Sequence, residues 1–125
     1  MQAKTERPRR ILVVDDNLDT AQSLVFLLGE MGHTAEFALD GRSALRAARR
    51  TRPEIVFLDL GLPDIDGFAV ARQLRREPAL EGARIVAVTG REWDEGRSRE
   101  AGCDEHLVKP LNITQLESLL EPSRK

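Results

Sequence analysis

The sequence predicts an α/β domain built on a parallel sheet with helices on both faces, a three-layer sandwich. Five short apolar runs, near residues 11–14, 34–38, 54–58, 84–89 and 105–108, alternate with five longer segments of helical character. The runs Ile-Leu-Val-Val at 11–14 and Ile-Val-Phe-Leu at 55–58 are apolar at every position. That pattern suits central strands covered on both sides. A chain of 125 residues holds one domain of ordinary size.

Each element has a local reason. Residues 1–9 are polar and contain Pro8, so they read as a flexible arm, with the domain proper over 10–121 and a short tail at 122–125. After the first strand, Ala21, Leu24, Val25, Leu28 and Met31 recur at helical spacing and define one buried face. Residues 34–38 form a weaker strand, and Asp40-Gly41 turns the chain into a helix with Ala44, Leu45 and Ala48 inward. The strand at 54–58 leads into a loop rich in Gly, Pro and Asp, then into a helix marked by Phe68, Ala71 and Leu74. Residues 92–102 carry Trp93 and Ala101 but are otherwise polar, with Gly96 inside, so a short or mobile helix is expected there. Asn112 and Gln115 form a capping pair for a last helix whose stripe is Ile113, Leu116, Leu119 and Leu120.

Composition narrows the function classes. Apolar residues are 41% and charged residues 32%, as in folded soluble domains. The longest apolar runs are too short to cross a bilayer, and the charged first ten residues lack the apolar core of a signal peptide. The lone Cys103 has no internal partner, which points to a reducing, cytoplasmic setting. The formal charge of −2 neither recruits nor repels nucleic acid. Arg42, Arg46, Arg49 and Arg50 read as one solvated helix face, without aromatic residues to suggest nucleic-acid binding. Cys103 and His33 read as structural, and no clustered Cys and His ligands suggest zinc. Basic residues are nearly all Arg; the three Lys are Lys4, Lys109 and Lys125, and only Lys109 is internal.

In an open α/β sheet the functional crevice lies beyond the carboxyl ends of the strands. The residues there are Asp15 and Asp16 after the first run, Asp59 after the third, Thr89 ending the fourth and Lys109 after the fifth. An Asp in such a place is also a common turn former or helix cap. Gathered on one edge, however, three carboxylates repel and call for a cation. Hard oxygen ligands suit Mg²⁺ (or Mn²⁺), which keeps waters and shares its remaining sites with a phosphate.

The fragments ILVVDDN, DLGLPDIDG, VAVTG and DEHLVKP, in this order and at these intervals, resemble the receiver domains of two-component response regulators from residue 10 onward. The resemblance implies a doubly wound, flavodoxin-like fold with strand order 2-1-3-4-5. It implies that Asp59 accepts a phosphoryl group from a histidine kinase or histidine phosphotransfer protein. Asp16, Asp59 and the Gly61 carbonyl would ligate Mg²⁺, with Asp15 acting through metal-bound water. Thr89 would hydrogen-bond the phosphoryl group, Lys109 would pair with it, and Pro110 would follow a cis bond. The residue three before the lysine would rotate as the switch. That residue is His106, where the family usually has Tyr or Phe. The output would be a protein-interaction surface, in a stand-alone regulator or a module of a hybrid kinase, and the domain would catalyse only its own phosphorylation and dephosphorylation. The initial Met and short polar end favour the stand-alone form. A haloacid-dehalogenase-like phosphohydrolase is the alternative, disfavoured because the second acid it carries is replaced by Gly61. An FMN carrier is disfavoured because Asp15 and Asp16 stand where its phosphate loop would be.

Overall fold

The computed structural model describes residues 8–60, 67–90, 95–109 and 111–120. In chain order the elements are β1 (Arg10–Val14), α1 (Leu18–Glu30), β2 (Thr34–Ala38), α2 (Gly41–Thr51), β3 (Ile55–Asp59), α3 (Gly67–Arg76), a 3-10 turn (Pro78–Leu80), β4 (Arg84–Thr89), α4 (Glu95–Glu100), β5 (Glu105–Val108) and α5 (Ile113–Leu120). All strand pairs are parallel, in the order β2-β1-β3-β4-β5. The expected doubly wound topology is therefore found, with its reversal between β1 and β3.

Period two divides each central strand between two cores. Ile11, Val13, Ile55, Phe57, Val86 and Val88 face α1 and α5. Leu12, Val14, Val56, Leu58, Ile85 and Ala87 face α2, α3 and the end of α4. The alanines that read as inward on α2 are buried, while Arg42, Arg46, Arg49 and Arg50 are exposed. Two of those arginines pair with acids, Arg49 with Glu77 at 2.8 Å and Arg50 with Glu36 at 3.2 Å. Asn17 caps α1 through the Thr20 N–H, and Asp40 caps α2 through the Ser43 N–H.

The expectation for α5 needs correction at one position. Ile113 is 51% exposed, because it begins the helix just after the Asn112 cap, before the turn that reaches the sheet. Leu116, Leu119 and Leu120 carry the buried stripe instead. Among the described residues α4 covers Glu95–Glu100, and Ala101 and Cys103 anchor the chain after it. Trp93 lies outside the described residues. Burial and the neighbouring Asp104 push the Cys103 thiol up to about 11, so it packs as an inert apolar group.

The arm read at 1–9 is tied to the domain at its end. The Arg9 N–H donates to His33 Nδ1 at 3.1 Å, and the Thr34 N–H donates to the Arg9 carbonyl at 3.0 Å. His33 is 6% exposed and must be neutral at Nδ1 to accept that bond. Burial first, and then Arg9, lower its pKa, against the opposing field of Glu54. The unfolded chain consequently binds a proton more readily than the folded one. Stability is expected to be complete above about pH 6.5, the ordinary histidine value, and to fall as pH drops through the depressed folded value. Urea midpoints of wild type and His33→Gln between about pH 5 and 7 check this; equal slopes would remove His33 from the pH response.

Candidate functional site

The site forms where the parallel register brings the ends of β1, β3, β4 and β5 level. Val14 lies beside Leu58, Asp59 beside Val88, and Thr89 beside Val108. The chain then leaves the sheet at Asp15 and Asp16 on one strand and at Lys109 on another. One carboxylate oxygen from each of Asp15, Asp16 and Asp59 lies within 4.8 Å of the others. The Lys109 ammonium donates to Asp15 Oδ2 at 3.1 Å and to Asp59 Oδ2 at 3.2 Å. The side chains of Asp15 and Asp59 are only 8% and 12% exposed, whereas Asp16 is exposed.

Local structure fixes these groups. The Asp15 N–H donates to the Ala38 carbonyl, and Asp15 Oδ1 accepts the Asn17 N–H at 2.9 Å. Asp15 therefore has one oxygen held by the backbone and the other by Lys109. The Lys109 N–H donates to the Thr89 carbonyl at 2.8 Å, continuing the β5 ladder to the lysine itself. Burial works against the Lys109 charge, but the hydrogen bond to Asp15 and the fields of Asp59 and Asp15 outweigh it and hold the ammonium above its usual pKa.

The charges gathered at the site do not cancel. Three carboxylates and one ammonium leave −3 + 1 = −2. Two such charges within 4.8 Å of each other repel by roughly 3.5 kcal/mol or more at an effective dielectric near 20. The cluster offers only oxygen donors, so a hard divalent cation fits both its charge and its chemistry. A cleft of about 440 Å³ opens beside it, floored by Val13, Phe57 and Val88 and walled by Leu24, Leu27 and Leu116.

Asp15, Asp16, Asp59 and Lys109 are thus brought together as the sequence predicted. Thr89 is buried at the end of β4, one residue beyond the partner of Asp59. His106 stands further down β5, beside Ala87, and Gly61 and Pro110 lie outside the described residues. Two contributors escaped the sequence reading. Asn17 both caps α1 and orients Asp15, and an Asn just ahead of a periodic helix is a readable signal. Gly67 touches the main chain of Leu60, the residue after Asp59, so closely that a Cβ would lie 2.4 Å from its Cα. Nothing in the local pattern announces that contact.

A five-stranded doubly wound domain with an acidic cluster and a lysine at its switch-point edge belongs to a known class of signalling module. The family model described as "Response regulator receiver domain" matches residues 11–121, and the chain belongs to that family, the phosphorylation-dependent signalling domain of two-component systems. It is 36% identical over 107 residues to the transcriptional regulatory protein TcrA of Mycobacterium tuberculosis, covering 86% of this chain and 42% of that protein. The chain thus spans less than half the length of the curated relatives it matches. Among solved structures, the CheY-like receiver domain from Methylobacillus flagellatus superposes with a TM-score of 0.84 at 35% identity, covering 91% of this chain and 97% of that one. A response regulator from Burkholderia pseudomallei, solved with a phosphorylated aspartic acid and a calcium ion, superposes with a TM-score of 0.82 at 27% identity, covering 90% of this chain and 66% of that one. Nothing in these likenesses favours a dehalogenase-like hydrolase. None of the described helices is long and apolar enough to cross a membrane.

Proposed function

We propose that Asp59 is the phosphoacceptor of this receiver, taking a phosphoryl group from the phosphohistidine of a histidine kinase or histidine phosphotransfer protein. The observation that carries this reading is the Lys109 ammonium bridging Asp59 and Asp15 at the carboxyl edge of the central strands. An Asp59 oxygen attacks phosphorus, the phosphorus–nitrogen bond breaks, and the imidazole leaves with the bonding electron pair. Lys109 turns from Asp15 and Asp59 to the phosphoryl oxygens, where charge accumulates, and the Thr89 hydroxyl donates to one of them. Asp16, Asp59 and the Gly61 carbonyl would hold Mg²⁺ or Mn²⁺, with Asp15 acting through its bound water, and the ion supplies charge neutralisation at the same oxygens. Attack of water on the acyl phosphate later returns free carboxylate and phosphate. The domain thus catalyses only its own phosphorylation and dephosphorylation.

Support for the acceptor role comes from the phosphorylated aspartic acid of the Burkholderia relative. The receiver spans 10–121, between an arm at 1–9 and a tail at 122–125, and works in the cytoplasm. It acts alone or as a module of a larger protein, and its output is a changed surface around Thr89, His106 and the α4–β5–α5 side. Phosphotransfer from a ³²P-labelled kinase domain tests the reading. Hydroxylamine-labile label on wild type and none on Asp59→Asn is expected; label on the variant places the acceptor elsewhere.

A further inference from the structure

The cleft beside the acidic cluster is apolar over most of its lining and charged at one end. Its volume of about 440 Å³ lies in the range of small-molecule sites. One face of α1 supplies a wall, because Asp19, Thr20, Ser23, Leu24 and Leu27 recur at helical spacing and all line the cleft. Leu111 and Leu116 add the wall from α5 and the residues before it, above the floor of Val13, Phe57 and Val88. Leu24, Leu27 and Leu111 are only partly buried, so an occupant would remove further apolar surface from water. The charged end is anionic. Asp15, Asp19 and Asp59 line it against Lys109 alone, and three carboxylates with one ammonium leave −2. Lys109 gives its charge to Asp15 and Asp59, while Asp19, exposed at the rim, takes no part in that bridge. Thr20 and Ser23 place two hydroxyl acceptors along the same edge.

We propose that this cleft binds a small organic amine with an apolar ring system, its protonated nitrogen among Asp15, Asp19 and Asp59 and its rings over Val13, Phe57 and Val88. An organic anion fits worse, because it would meet three carboxylates and an ammonium that already bridges two of them. A neutral molecule gains the apolar burial but leaves the net charge uncompensated. The amine nitrogen and a divalent cation answer the same excess charge at Asp15 and Asp59. Each therefore weakens the other's binding, and by linkage the two effects are equal. An amine in the cleft holds the receiver in a metal-poor, unreactive state. The cleft itself does not depend on how Asp59 reacts; this last consequence rests on the proposed metal and acceptor roles.

The probes are naphthylethylamine, the matching alcohol naphthylethanol and the matching acid naphthylacetate, titrated into the full chain in metal-free buffer and followed by methyl spectra. The amine is expected to shift the methyl signals of Leu24, Leu27, Val88 and Leu116. It should bind roughly three- to tenfold tighter than the alcohol, with the acid weaker still. Asp19→Asn, at an exposed position, should weaken the amine roughly two- to fivefold and leave the alcohol unchanged. Saturating Mg²⁺ should weaken the amine by roughly fivefold or more and leave the alcohol unchanged. Equal affinities for the three probes, tighter binding of the acid, shifts confined to residues outside the cleft, or no binding of the amine at millimolar concentration overturn the proposal. Mg²⁺ is first titrated alone. In a chain that binds it, an amine affinity indifferent to Mg²⁺ removes the ammonium from Asp15 and Asp59 and overturns the proposal too. A chain that takes no Mg²⁺ loses the metal reading, while the amine site stands or falls on the probe order and on Asp19→Asn.

Discussion

Replacing Lys109 with Met is expected to slow phosphorylation of Asp59 by a small phosphodonor about 10²–10³-fold, the cost of losing one preorganised charge partner for a developing anion. Lys109 is the cation that touches both Asp15 and Asp59, at 3.1 and 3.2 Å. Met keeps the length and the apolar stem but not the charge, so the effect reports electrostatics rather than a cavity. Loss of the ammonium also leaves two largely buried carboxylates facing each other, and the metal-free protein should become less stable. Part of that loss should return on adding millimolar MgCl₂, because a bound cation replaces the missing positive charge. Single-turnover rates with acetyl phosphate and thermal melts with and without metal measure both effects. An unchanged rate would mean that Lys109 is only a structural tie.

Gly67→Ala carries the second large expectation, a destabilisation of about 3 kcal/mol, at the upper end of overpacking costs. The added carbon would lie 2.4 Å from both the Cα and the carbonyl oxygen of Leu60, and 2.6 Å from its carbonyl carbon. These are backbone atoms that cannot swing aside. Since Leu60 follows Asp59, relief of the clash displaces the acceptor strand's end, and phosphorylation should fall along with stability. Gly29→Ala is the matching control. Gly29 sits exposed in α1 with nothing near its would-be Cβ, so this change should stabilise by about 0.5–1 kcal/mol. Urea unfolding of both variants checks the contrast; a Gly67→Ala protein as stable as wild type would show that the α3 start yields easily.

Much of this was legible in the residues because the physics involved is local or periodic. Runs such as 11–14 and 55–58 suit buried central strands, and a parallel sheet necessarily collects Asp15, Asp16, Asp59, Thr89 and Lys109 along one edge. Strand order was legible only through the family resemblance, since periodicity does not say which strands are neighbours. Ile113 misled because apolar spacing does not reveal where a helix leaves the sheet. Gly67 and the His33–Arg9 bond were hidden for a different reason. Each is a contact between residues apart in the sequence, and no pattern within either segment encodes its partner. The His106 Nε2, buried and without a hydrogen-bond partner among the described residues, is of the same kind, a consequence of what packs around it rather than of its neighbours in sequence.

The most direct measurement is the intact mass of the protein after incubation with acetyl phosphate and Mg²⁺. One added phosphoryl group is predicted on wild type, absent with excess EDTA and absent from Asp59→Asn. No added mass on wild type, or a phosphoryl group that persists on Asp59→Asn, would contradict the assignment of Asp59 as the acceptor.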